Sequence, residues 1–222
     1  MSRSEAVRAS AAALRGPASA AVVRARVAGD RVDDGEPWAG AVDLWIARGS
    51  RRRTARRGIA ATMLARYVGI APGELEFSRG AHGRPELRTR AAGREVWFST
   101  STAPDVFVLA VAATPVGVDV EPLTRRVATD GLIEAVCTPR ERDRLSALAL
   151  AARREAFIWC WTGKEACAKA SGLGLGAPLE SIDAGAGPGA SVVQASSDGS
   201  LGPWTLFRVQ ALPGYALAIA VL

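Results

Sequence analysis

The chain has 222 residues, 49% of them hydrophobic and 23% charged, with 28 basic and 22 acidic side chains and a formal net charge of +6. That composition excludes a wholly disordered or collagen-like chain and allows a sizeable core without disulfides. It favours an anionic partner, and no run of about 18 apolar residues is present to span a membrane.

Residues 1–36 are rich in Ala, Arg, Gly and Asp with weak periodicity, and are expected to form a poorly ordered or loosely packed lead-in. No apolar stretch suited to a signal peptide follows the N-terminus, so a cytoplasmic location is expected. Ala41–Ala47 reads as a strand. Arg51 to Gly69 reads as a helix, with Ile59, Met63, Leu64 and Tyr67 at helical spacing and Gly69 as its stop. Residues 71–93, broken by Pro and Gly, hold short extended pieces. Glu95–Ser101 and Val106–Ala112 read as a hairpin around Ala103-Pro104-Asp105.

Val116–Glu121 is a further strand, ended by Pro122. Helices are predicted near Asp130–Cys137 and Pro139–Ala149, and a longer one from about Ala151 to Ser171, closed by Gly172. Short strands are predicted at Glu180–Ala184, Ser191–Ala195, Trp204–Val209 and Tyr215–Leu222. The pattern predicts an α+β protein of two similar lobes, 37–114 and 115–222, each with a small sheet and one main helix.

Rare residue types narrow the chemistry. Three cysteines without a CxxC pair argue against a disulfide framework or a structural zinc site, and Cys137, Cys160 and Cys167 read as core residues. A single histidine, His82, excludes a multi-His metal site and argues against a Ser-His-Asp hydrolase. The basic run Arg51–Arg57 admits a nucleic-acid contact, but aromatic residues make up 6% of the chain and do not interleave with it, so no nucleic-acid partner is expected. Only two of the 28 basic residues are lysines, Lys164 and Lys169, and they flank Glu165 within six residues.

Three constellations carry possible chemistry. Asp119 and Glu121, two apart on a strand, share one face while Val116, Val118 and Val120 share the other. Two carboxylates so placed suit a hard cation held by oxygen ligands, or form a solvent-facing edge with two harmless acids. Trp161, Glu165 and Lys169 fall at i, i+4 and i+8 on one helical stripe with Lys164 beside it. That is either an ordinary surface ion pair or a place for a metal–phosphate complex. Arg84, in a Gly/Pro loop, is placed to meet a phosphate, and Ser101 and Thr102 offer hydroxyls near a strand end; alone these are a generic turn and strand.

Taken in order, Gly83-Arg-Pro, Ser99-Thr-Ser-Thr102, Gly117-Val-Asp-Val-Glu121 and Trp161-x-x-Lys-Glu-x-x-x-Lys-x-x-Gly-x-Gly174 resemble the 4′-phosphopantetheinyl transferases. The likeness is greatest to the monomeric, surfactin-synthetase-activating type and covers roughly residues 41–222. The resemblance implies a pseudo-dimeric α+β fold binding coenzyme A between its lobes. The implied activity moves phosphopantetheine from coenzyme A to a serine of an acidic apo acyl or peptidyl carrier protein and releases adenosine 3′,5′-bisphosphate. It implies Mg²⁺ held by Asp119, Glu121 and Glu165, and catalytic roles for Asp119, Glu165 and Lys169. Coenzyme contacts are implied at Arg57, Arg84, Ser101, Thr102, Lys164 and Lys169. A monomer without membrane attachment is expected, because two lobes in one chain already build the site.

The sequence departs from that family in three places. The family usually shows Ser-His-Ser after the second strand, with His on the coenzyme's 3′-phosphate, whereas here Ser101 is followed by Thr102 and Ala103. A neutral hydroxyl there implies weaker coenzyme binding, and a poorly active relative that binds coenzyme A or a carrier protein is the second expectation. The segment between the first strand and first helix is short, and Arg84 stands where the family has Lys.

Overall fold

The structure, a computed structural model, describes residues 12–15, 21–27, 42–49, 52–80, 82–91, 93, 95–126, 130–185, 187, 191–193 and 204–221. They fall into two compact units that part between Val116 and Gly117.

The N-terminal unit is built on a five-stranded antiparallel sheet. Its strands are β1 (Ala12–Arg15), β2 (Ala21–Val27), β3 (Val42–Arg48), β6 (Trp97–Ala103) and β7 (Val106–Ala112), in the order β1-β2-β3-β7-β6. Two short strands, β4 (Phe77–Arg79) and β5 (Pro85–Leu87), pair separately. The all-apolar β7 is buried along its whole length, as a central strand covered on both faces must be. Helix α1 (Arg53–Val68) lays Ile59, Met63 and Leu64 against Trp45, Phe98, Phe107, Leu109 and Val111. It stops at Gly69, whose φ of 77° suits the left-handed turn and whose N–H donates to the Ala65 carbonyl. Trp45 Nε1 donates to the Tyr67 hydroxyl, which donates to buried Asp43, each at 2.8 Å.

The C-terminal unit contains β8 (Val116–Pro122), β9 (Ser191–Val193), β10 (Trp204–Arg208) and β11 (Tyr215–Val221), ordered β8-β11-β10-β9. Its helices are α2 (Asp130–Val136), α3 (Pro139–Ser146) and the 22-residue α4 (Leu150–Ser171). Helix α4 packs Ala166, Cys167 and Ala170 against Leu206, Ala218 and Ala220, and Ile158 and Trp159 against Ala216. Helix α3 begins with a reciprocal cap: Glu141 N donates to Thr138 Oγ1 and Thr138 N donates to the Glu141 carboxylate, with Pro139 in the first turn.

Three sequence expectations are corrected. The lead-in supplies two strands, β1 and β2, to the sheet; single-chain periodicity missed them because their pairing is with distant β3. Strand β8 takes in Pro122 as its last residue rather than stopping before it. The strand expected at Glu180–Ala184 is a short 3₁₀ turn (Leu179–Ser181) followed by an isolated bridge residue, Ile182, and irregular backbone, and buried side chains take the carbonyls of Leu179, Ile182 and Ala184. Residues 194 and 195, expected to continue β9, lie outside the described residues.

Strand β8 meets α4 through Gly117. A Cβ built there would lie 1.9 Å from the Ala166 carbonyl oxygen and 2.5 Å from the Ala170 nitrogen, both fixed helix backbone. Gly117→Ala should therefore lower unfolding stability by at least about 2 kcal/mol, the order expected for overpacking against rigid atoms. Equilibrium urea unfolding against the parent protein measures this; an unchanged midpoint would contradict the packing.

Candidate active site

The close approach at Gly117 places two charged segments side by side. On β8, Val116, Val118 and Val120 are buried, and Asp119, on the opposite face, is also buried at 5% exposure. Glu121, two residues on, is only partly buried. On α4 every residue from Ala156 to Ala170 is buried except Trp161, Glu165 and Lys169. These are the three that sequence spacing put on one stripe. A helix sunk in its own core thus keeps one partly open line, and that line carries the aromatic, the acid and the cation.

Lys169 joins the two segments. Its Nζ donates to Asp119 Oδ1 at 2.6 Å and to the Val118 carbonyl at 3.1 Å. Lys169 retains 29% side-chain exposure against 7% for Asp119. Two further groups crowd Asp119 electrostatically. Partial burial, and then repulsion from Asp119, push the carboxyl of Glu121 above the ordinary carboxylate range; Arg125, Lys169 and a hydrogen bond from Trp161 oppose this. Burial and Asp119 push Glu165 up in the same way, against Lys169 and Arg125. Asp119, Glu121, Glu165 and Lys169 are therefore one cluster.

Arg125 was not singled out by sequence. It pairs with Glu121 and lies 5.9 Å from the Trp161 ring centroid. The available signal was a basic residue four positions after the second acid of β8.

The donor set fits a hard divalent cation. Burial first, and then the neighbouring Asp119 charge, raise the proton affinities of Glu121 and Glu165, and a bound cation would relieve both costs. All three offer oxygen only, the chemistry Mg²⁺ prefers, and no thiol or imidazole competes within the set.

Lys164 differs from its expected role. Its side chain has zero exposure, its Nζ lies 2.7 Å from Glu141 Oε2, and it donates to the carbonyls of Leu179 and Ile182. All three of its protons are spent inside the unit, so this lysine is a structural tie with no donor left for a phosphate. Glu141, equally buried, also accepts from Thr138 N, Ala184 N (2.7 Å) and Gly185 N (3.1 Å). Arg208, its guanidinium pKa lowered by burial, donates to the carbonyls of Ala184 and Gly185. Sequence reading missed Glu141, although Thr-Pro-x-Glu was a visible helix-start signal.

The remaining predicted residues lie in the N-terminal unit. Arg84 donates from Nη2 to the carbonyls of Phe98 (2.8 Å) and Val116 (2.9 Å), with Trp97 beneath it at 5.9 Å. Burial lowers its pKa. It anchors its own loop to β6 and lines a cleft of about 580 Å³ with Ser78, Glu86, Arg88 and Trp97. Ser101 is buried on β6, neighbouring Thr102 is exposed, and Arg57 is exposed on α1.

Comparison with known proteins agrees with this geometry. Residues 115–220 match the profile of the 4′-phosphopantetheinyl transferase superfamily. The chain is 35% identical over 134 residues to 4′-phosphopantetheinyl transferase HetI of Nostoc sp., covering 60% of this chain and 56% of the relative. It is 33% identical over 147 residues to the L-aminoadipate-semialdehyde dehydrogenase-phosphopantetheinyl transferase of Eremothecium gossypii (61% and 52%). It is 30% identical over 158 residues to the 4′-phosphopantetheinyl transferase pptA of Paxillus involutus (61% and 60%). The chain thus spans about half the length of the curated relatives it matches. Among the described residues no helix is long and apolar enough to cross a membrane.

Two outcomes follow. Lys164→Ala leaves Glu141 buried beside an empty place, and should destabilise the protein by about 3–5 kcal/mol in chemical denaturation. A loss below about 1 kcal/mol would return Lys164 to the substrate side. Because Glu121 and Glu165 hold protons more tightly than an ordinary carboxyl at 4.5, acidification should weaken divalent-cation binding while the pH is still above that value. Calorimetric Mg²⁺ titrations from pH 7.5 downward test this; an affinity that stays flat until pH 4.5 would contradict it. The stability sign agrees: raised folded pKa values favour folding at low pH, and that contribution is lost as pH rises through them.

Proposed function

We propose that the protein transfers 4′-phosphopantetheine from coenzyme A to a serine of an apo acyl or peptidyl carrier protein, with Mg²⁺ at Asp119, Glu121 and Glu165. The observation that carries this reading is the cluster itself: three carboxylates from β8 and α4 with Lys169 bridging the two elements. The match of the same residues to the superfamily profile and the names of the relatives support it.

In the reaction, the serine hydroxyl attacks the β-phosphorus of the coenzyme's pyrophosphate. The bond from that phosphorus to the bridging oxygen breaks, and adenosine 3′,5′-bisphosphate leaves. Bound Mg²⁺ would supply charge neutralisation for the pyrophosphate oxygens. Lys169, half-open beside Asp119, is placed to meet the same oxygens. Glu165, its proton affinity raised, is suited to accept the serine proton. Arg57, Ser101 and Thr102 would face the coenzyme's nucleotide end. Arg84 would act there by holding its loop, since Nη2 is committed to backbone. The exposed hydroxyl of Thr102, in place of a cationic side chain, favours weak 3′-phosphate binding and keeps open the second reading, a poorly active coenzyme- or carrier-binding relative. The +6 charge suits an acidic carrier, and we propose a monomer acting in the cytoplasm.

Incubation with coenzyme A, Mg²⁺ and a panel of apo carrier proteins should give a phosphopantetheine mass gain on at least one carrier, abolished by chelator. Glu165→Ala or Asp119→Ala should slow the gain by about 100-fold or more, the scale of a lost electrostatic or acid–base partner. No gain on any carrier, with coenzyme A binding retained in calorimetry, would select the binding-module reading.

A further inference from the structure

The proposed mechanism leaves one reactive cluster unused. Cys137 lies in the two-residue link between α2 and α3, and Cys160 lies on α4. They are 23 residues apart in sequence, yet their sulfurs are 4.0 Å apart and both are buried. Glu141 completes a trio whose candidate ligand atoms all lie within 4.8 Å of one another. A metal reading of that trio fails on the carboxylate. Its two oxygens already serve Lys164, Thr138 N, Ala184 N and Gly185 N, which uses their lone pairs. What remains is a dithiol beside a fixed ion pair.

We propose that Cys137 and Cys160 form a peroxide-sensitive disulfide that switches off the catalytic helix. The two thiols are not equivalent. The hydrogen bond with Cys160 draws the Cys137 thiol down, helped by Lys164 and Arg142, while the same bond and burial push Cys160 well up. Cys137 stands in the two-residue link while Cys160 is fixed within α4, so Cys137 is the sulfur placed to move and to attack hydrogen peroxide. The Cys137 thiolate attacks one peroxide oxygen and the O–O bond breaks, giving a sulfenic acid and hydroxide. Cys160 then gives up its proton and attacks the Cys137 sulfur. The S–O bond breaks and hydroxide leaves, protonated to water. In sum, two thiols and one peroxide give one disulfide and two waters.

Bond formation must bring the sulfurs from 4.0 Å to about 2.05 Å. Cys160 is held in the middle of α4, so the movement falls on the link at Cys137–Thr138. Thr138 is the cap of α3 and a partner of Glu141, which in turn holds Lys164. Glu165 follows Lys164 directly. The crosslink therefore strains the buried tie next to the proposed metal ligand, and it reverses with a thiol reductant.

Cys167 is the internal control. It is buried on the same helix, and burial pushes its thiol up to about 12. The purified full chain would be treated with a few equivalents of hydrogen peroxide, then denatured for thiol counting, intact mass and peptide mapping. Free thiols should fall from three to one, with a mass loss of two hydrogens and a mapped Cys137–Cys160 crosslink. Cys167→Ser should still lose two thiols, whereas Cys137→Ser and Cys160→Ser should form no internal disulfide, their folding checked by circular dichroism. The rate of carrier modification should fall with disulfide formation and return with dithiothreitol. Three surviving thiols, oxygen added to single cysteines, a bridge to Cys167, or a full disulfide with undiminished rate would each overturn the proposal. The switch rests on the transferase reading. A reduced protein that modifies no carrier while still forming the disulfide would refute that reading and, with it, the switch, and would leave the thiol chemistry standing.

Discussion

The contact between β8 and α4 at Gly117 is the constraint on which the site depends. A side chain there would collide with helix backbone, so only glycine lets the strand lie against the helix. The same approach puts the Val118 carbonyl and the Asp119 carboxylate within reach of Lys169. Without it, the acids of β8 and the acid of α4 would belong to separate surfaces. The charged cluster is therefore a product of packing first and of electrostatics second. Like charges do not gather unaided, and the helix–strand contact supplies the work that holds them together.

A second group of buried charges does a different task. Lys164, Glu141 and Arg208 take up main-chain groups of residues 179–185, a stretch with no strand to satisfy them. Irregular backbone inside a core is tolerated only when side chains replace the missing ladder. Adjacent residues on α4 thus face opposite duties. Lys164 points inward and braces a loop, and Glu165 sits on the partly open line. The motif Lys-Glu reads as one unit in sequence, yet its halves lie on different sides of the helix.

Most of the architecture was readable where local pattern and burial agree. The apolar run of β7, the periodic face of α1 with its terminal Gly69, and the long α4 all follow from composition and spacing. The acid pair on β8 and the i, i+4, i+8 stripe on α4 were equally plain. What escaped was everything fixed by distant partners. Strands β1 and β2 lack a strong alternating pattern and owe their pairing to β3. Residues 179–185 look extended but are held by side chains from α3, α4 and β10. Lys164 looked like a second phosphate ligand because spacing cannot say which flank of a buried helix is open. Arg125 and Glu141 were passed over because a charge gains meaning only from the partner it meets, and those partners lie outside its local window.

The burial of α4 has a consequence for how this chain can vary. Each residue added to or removed from a helix turns everything beyond it by about 100°. On an ordinary surface helix such a change shifts a broad apolar face and is partly absorbed. From Ala156 to Ala170 the open side of the helix is a line one residue wide, at Trp161, Glu165 and Lys169. A single-residue slip would drive two charged groups into the core and swing alanine or cysteine into the opening. Helix α4 thus works as a keyed shaft whose length between the Trp161 and Lys169 positions is fixed.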